Sequence, residues 1–188
     1  NSYICKLIKP KQTMNEIIKK NGITFGIITG VLSVLITTSI YIVDLSLMTK
    51  WWLGLSILAV YIIIGCVLLV KNKKDLGGYM SFKEGFTTYF ISALIGIAIS
   101  VIYNILLFNV IDPEAAIRLK ELTLESTVQM LEKFGTPTSA IKETVDKMKD
   151  YNQFSTIEQL KGSIWSIVGS AVFGAILEKK KKKDKPVF

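Results

Sequence analysis

Glu121, Glu125 and Glu132 fall on one stretch with the grammar of a helix, where grouped carboxylates could serve as general acid and base or hold a cation. Their surroundings favour a solvated helix face instead. Glu114 with Arg118 and Glu143 with Lys147 stand at i, i+4 in the favourable orientation for ion pairs, each contributing about 0.2–0.5 kcal/mol. The chain contains no histidine, which removes imidazole bases, histidine metal ligands and Ser-His activation of a nucleophile together. Cys5 and Cys66 lie in a basic leader and in an apolar run, so no disulfide is expected. With no catalytic, cofactor-binding or metal-binding constellation recognised, the sequence is read as a non-enzyme without a cofactor.

The other residues that could act are small and polar ones set inside apolar runs. Gly22, Gly26 and Gly30 repeat at i, i+4 and i+8, although glycine costs a helix about 1 kcal/mol relative to alanine. Thr88, Ser92, Gly96, Ser100 and Asn104 make a second stripe at the same spacing, and Ser166, Ser170 and Gly174 a third. Such stripes expose backbone for close van der Waals contact, so they predict where helices meet in lipid. The competing reading is a pathway along the third span's stripe, with Asn104 and the hydroxyls of Thr24, Thr29, Ser33, Thr37 and Thr38 supplying hydrogen bonds. No ionisable residue stands in the middle of an apolar run, so a proton relay has no evident carrier.

The elements that carry these stripes must be membrane spans. Half of the chain is hydrophobic and its mean hydropathy is +0.43, too apolar for an ordinary soluble domain of this length. The apolar residues are gathered into blocks at 21–43, 51–70, 86–110 and 160–177, and a hydrocarbon core about 30 Å thick needs about 20 residues of helix. The first block is too long for a signal peptide and no Ala-x-Ala site follows it. Lys161, near the start of the fourth, can snorkel to the interface.

Lysine distribution sets the orientation. Residues 1–20 hold five lysines, Lys71, Lys73, Lys74 and Lys83 follow the second block, and Lys179 to Lys183 with Lys185 follow the fourth. By the positive-inside rule these regions are cytoplasmic, which makes the loop DLSLMTK and the segment 111–159, with six basic against nine acidic residues, external. Trp51, Trp52 and Trp165 then fall at outer helix ends, where indole favours the water boundary. The net charge of +8 therefore reflects topology, and no nucleic-acid partner is expected. Lys179, Lys180, Lys181, Lys182 and Lys183 either anchor the topology or attract anionic lipid headgroups, at about 1 kcal/mol each near the surface.

Residues 1–13 precede Met14, a plausible natural start, and are assigned no function. The rest is expected to be a single all-helical membrane domain. Ser81 and Glu84 form a Ser-x-x-Glu capping box that starts the third helix near Phe82, and Ser155 with Glu158 repeats the signal before the fourth. Asp112 at an N-cap, Pro113 behind it and Gly135 at the far end delimit an outer helix with Ile117, Leu124, Val128 and Leu131 as its apolar stripe. Ile141, Val145 and Met148 continue at helical spacing after the Gly135-Thr136-Pro137 break, which predicts an extracytoplasmic amphipathic helical hairpin.

The order of a glycine-bearing first span, a lysine loop ending GGYMSFKEGF, a third span leading to NVIDPE, an amphipathic outer segment and a lysine-closed fourth span resembles the bacterial domain-of-unknown-function 4199 membrane proteins. The resemblance runs from Met14 to about Lys185. It implies a bacterial cytoplasmic-membrane location and supplies neither an activity nor site residues. The reading is thus a four-span inner-membrane protein serving as a structural or accessory subunit, with membrane lipids, a second copy or another membrane protein as partner; the alternative is a small transporter or channel. Reporters fused after Lys74 and after Lys183 should report cytoplasm and one inserted near Gly135 the outside; an outside signal at Lys183 would remove the fourth span.

Overall fold

The computed structural model describes residues 13–151 and 153–181, and nearly all of them are helical, with no strand among the described residues. The helices are α1 (Met14–Val43), α2 (Trp51–Asp75), α3 (Phe82–Leu106), α4 (Pro113–Lys133), α5 (Thr138–Asp150) and α6 (Thr156–Lys181). A 3-10 turn (Leu45–Thr49) joins α1 to α2, and a π-helical segment (Leu107–Ile111) extends α3. Among the described residues, α1, α2 and α3 with its extension (Phe82–Ile111) are long and apolar enough to cross a membrane. The protein is an all-helical membrane protein, and α6 adds a helix of 26 residues beside these three.

Local chemistry sets the boundaries. At the start of α1 the Thr13 amide donates to Glu16 Oε2 at 2.9 Å. At the start of α3 the Ser81 amide donates to Glu84 Oε2 at 2.6 Å while the Glu84 amide donates back to Ser81 Oγ at 3.4 Å, so two free amide donors are satisfied reciprocally. The third helix begins at Phe82 as the sequence predicts. Gly78 with φ 92° and Gly135 with φ 68° end α2 and α4 in the left-handed region, which side chains disfavour. Before α6 the Glu158 amide donates to Ser155 Oγ at 3.4 Å.

At the lower end of the bundle α1 and α3 start and α2 stops. Because Gly22, Gly26 and Gly30 meet Ile91, Ile95 and Ile99 in turn, α1 and α3 run parallel. They form the most extensive helix pair, followed by α3 with α6. α2 returns antiparallel, since Asn72 near its end bonds Asn21 near the start of α1. Lys50 and the exposed Trp51 and Trp52 mark the upper end of α2.

Helix α4 packs on that upper end, and α5 packs on α4. The π turn closes when the Asp112 amide donates to Leu107 O at 2.9 Å, and it leads directly into α4. Ala115 and Leu119, at 0% and 3% exposure, then bury against Leu107 and Phe108. Two expectations need correction here. Ile117 is 61% exposed and not part of the buried stripe, because the way α4 leaves the π segment turns Ala115 and Leu119 inward; Leu124, Val128 and Leu131 are half-buried. Arg118 pairs with Asp112 at 3.1 Å instead of Glu114, because Tyr41 and the Ala115 amide hold the Asp112 carboxylate in place within its reach. Glu143 and Lys147 do pair, at 2.7 Å. Ile141, Val145 and Met148 are half-buried on α5, which packs on α4.

Among the described residues the segment 111–159 is tied to the bundle at its two ends, by the first turns of α4 and by Phe154, whose ring packs on Phe108, so it should not fold alone. Its few apolar positions bury too little surface to offset chain entropy. Circular dichroism of the excised peptide in buffer should show a largely unfolded chain without a cooperative thermal transition; such a transition would reveal an autonomous domain.

Candidate functional site

The glycine stripe of α1 lies directly against α3. A Cβ built at Gly26 would stand 2.7 Å from Ile95 Cβ and 2.9 Å from the Ser92 carbonyl oxygen, and one at Gly22 would stand 2.9 Å from Ile91 Cβ. At Gly30 the nearest atom is Ile99 Cδ1, at 2.7 Å. The approach is mutual: a Cβ at Gly96 on α3 would meet Thr29 Oγ1 at 2.5 Å and the Gly26 carbonyl oxygen at 3.5 Å. Apolar surface gains nothing by leaving lipid, so contacts of this kind supply the association energy themselves.

Polar bonds continue the seam upward. Ser33 and Ser100 share a hydrogen bond of 2.8 Å, and Thr38 bonds Tyr103 above it. Tyr41 donates to Asp112 Oδ2 at 2.8 Å, the Ala115 amide to Asp112 Oδ1 at 2.9 Å and Arg118 Nη2 to Oδ2 at 3.1 Å. The Tyr41 hydroxyl first, then the Ala115 amide, hold the Asp112 carboxyl below the usual carboxylate range. A depressed acid contributes its stability above the ordinary carboxylate pKa and loses it as pH falls through the lowered value, so this tie persists at neutral pH.

A second knot closes the lower end. Asn72, with no exposed surface, receives the Asn21 Nδ2 donor at 3.0 Å and itself donates to Thr88 Oγ1 at 2.8 Å and Met80 Sδ at 3.3 Å. Asn21 also donates to Asp75 Oδ2 at 3.0 Å. These amides escaped the sequence reading because Asn72 stands in a lysine-rich stretch that looks like loop, whereas it occupies the last turns of α2. The signal that could have found it is position: Asn72 follows Gly65 and Leu68 on one helical face.

Between the two knots α2 stands away from α1 and α3, leaving a half-open cleft of about 640 Å³. Gly65 against the Tyr89 ring, 3.1 Å from an added Cβ, marks its lower end. Met48, Phe108 and Phe154 line its upper end. Leu53, Ile57 and Ile64 form the α2 wall, while Ser92, Gly96, Ser100 and Asn104 contribute the α3 wall. Ser92 and Gly96 are buried, Ser100 and Asn104 half-buried. The α3 stripe thus has two sides, one against α1 and one facing the cleft.

The α6 stripe is divided. Ser170 lines the cleft. Ser166 is exposed, bonds Gly162 O of its own helix at 3.0 Å, and lines a smaller recess of about 270 Å³ with Ser100, Asn104 and Gln159. Gly174 and Lys179, Lys180 and Lys181 lie on α6, but their surroundings are outside what is described; Lys182 and Lys183 lie outside the described residues altogether. No cluster of three or more His, Cys, Asp or Glu side chains that could hold a metal occurs among the described residues.

Residues 24–177 match the family model described as Protein of unknown function (DUF4199). The chain belongs to the DUF4199 family. No curated protein and no solved structure matches it. In this DUF4199 chain the two sequence markers fall on the two knots: Met80, Ser81 and Glu84 of GGYMSFKEGF at the lower end, and Asp112 of IDPE at the upper end.

The seam yields a direct test. Gly26→Ile should lower the detergent melting temperature of this DUF4199 protein, with a cost of about 1–3 kcal/mol for overpacking. Ile27→Leu, at a position 48% exposed, should leave it nearly unchanged. Equal stability of the two variants would mean that the stripe does not carry the pairing.

Proposed function

We propose that this protein is a four-span component of the bacterial cytoplasmic membrane, with both termini in the cytoplasm, that acts as a non-enzymatic structural or accessory subunit. The observation that carries the reading is the division of labour among helices. α1 and α3 make a parallel pair tied at both ends, and α4 is anchored to its top by Ala115 and Leu119. The remainder of the α4–α5 hairpin extends beyond that anchor as a mixed apolar and charged surface suited to a partner.

In this account α6 is the fourth span, so the hairpin lies outside and the lysines from Lys179 to Lys183 meet the inner headgroups. The lysine asymmetry and the length of α6 support that arrangement. The partner is a second copy or another membrane protein. A transporter is the second reading, favoured by the cleft along the α3 stripe. Against it, the buried Asn21–Asn72–Thr88 knot occupies the lower end, where a through-path would have to emerge.

Gentle solubilisation and co-purification separates the two. The accessory role predicts a stable second protein, or a defined homo-oligomer, that is lost when the hairpin is shortened to a tight loop between 120 and 149. A monomer that alone moves a solute across liposomes would overturn it in favour of transport.

A further inference from the structure

The cleft contains polar groups whose hydrogen-bonding capacity the protein does not use. Ser92 is only 5% exposed and lines the cleft, yet its hydroxyl makes no hydrogen bond with any described residue. Asn104 has only a long contact from its Nδ2 to Ser100 Oγ, at 3.5 Å, and its carbonyl oxygen accepts nothing among the described residues. An unpaired polar group inside a bilayer is costly because no bulk water replaces the missing partner. Both groups line the cleft, separated along α3 by about 18 Å at about 1.5 Å of rise per residue.

The rest of the lining fixes the chemistry of what would complete them. Among the described residues, no charged side chain lines the cleft. Its walls are mostly apolar, and about 640 Å³ lies within the range of about 300–1,000 Å³ typical of small-molecule sites. An anionic or cationic headgroup would be buried there without a counter-charge, which is strongly unfavourable. A hydrocarbon chain alone would leave Asn104 at the upper end unmet.

We propose that the cleft between α2 and α3 is a binding site for an uncharged, oxygen-bearing amphiphile of the neutral acylglycerol class. Its ester or hydroxyl oxygens bond Asn104 and Gln159 near the upper end, and its tail lies along Ile57 and Ile64 toward Ser92. Ser92 marks the depth at which a double bond or a co-bound water meets the chain. The site does not depend on the accessory role, since binding is read on the protein alone.

The test is photolabelling of the full chain in nanodiscs with a diazirine-bearing monoacylglycerol, followed by peptide mapping. Label should fall on the cleft walls of α1, α2 and α3 and be displaced by unlabelled monoolein at least fivefold better than by dioleoylphosphatidylglycerol. Gly54 lines the cleft, and a Cβ added there meets nothing within 4 Å, so Gly54→Phe should fill space without disturbing the seam. It should reduce labelling at least fivefold, and Asn104→Leu at least threefold, while Ile102→Phe on the 59% exposed face changes nothing. A melting temperature for Gly54→Phe within a few degrees of the parent shows that folding is intact. Labelling spread evenly over lipid-facing residues, unchanged labelling in both cleft variants, or equal displacement by the anionic lipid would overturn the proposal.

Discussion

Two parallel helices lie so close along Gly22, Gly26, Gly30 and Gly96 that an added methyl group at any of these would overlap its neighbour, at 2.5–2.9 Å. Parallel neighbours in a membrane cannot be joined by a short turn, so an intervening helix must carry the chain back, and α2 does so. The seam therefore comes first in the architecture, and α2 is positioned by what the seam leaves. Its lower turns are fixed through Asn72, while its upper turns connect through the 3-10 turn, and the cleft is the space between.

The end knots solve a different problem from the stripe. Glycine contacts fix separation but resist sliding weakly, because one turn of slippage brings glycine opposite another small residue or isoleucine. Directional bonds from Asn21 and Thr88 below and from Tyr41 to Asp112 above set the register of α1 on α3. Asp112 combines this with capping α4 and pairing Arg118, so one carboxylate joins α1 and α3 to α4. The π segment just before it, a geometry that recurs at functional sites, delivers Asp112 to that position.

Much of this was legible in the sequence because it is local. Glycine and serine at every fourth position report a helix face without knowledge of the partner, and Ser81-x-x-Glu84 and Asp112-Pro113 report helix starts from the chemistry of unpaired amides. The partner of each stripe was not legible, since periodicity gives a face and no address. Asn72 was hidden by its lysine neighbours, whose charge suggests solvent although its own side chain turns inward. Ile117 was misplaced because hydrophobicity alone favours it over Ala115, whereas the exit of α4 from the π turn selects the smaller residue. The polar side of the cleft was legible as the third span's stripe with Thr29, Ser33 and Thr37, but its α2 wall and its volume were not, because the gap exists only between helices tied at their ends.

The register of α1 against α3 is the feature on which the other contacts depend. In a chain with Cys5 and Cys66 replaced, cysteines at Ser33 and Ser100, whose hydroxyl oxygens are 2.8 Å apart, should form a disulfide readily in native membranes under mild oxidation. Cysteines at Ser33 and Ile102, the latter on the exposed face of α3, should not. Efficient cross-linking of the first pair alone is the predicted result; no cross-link between 33 and 100, or equal cross-linking of both pairs, would contradict the parallel seam on which the knots and the cleft depend.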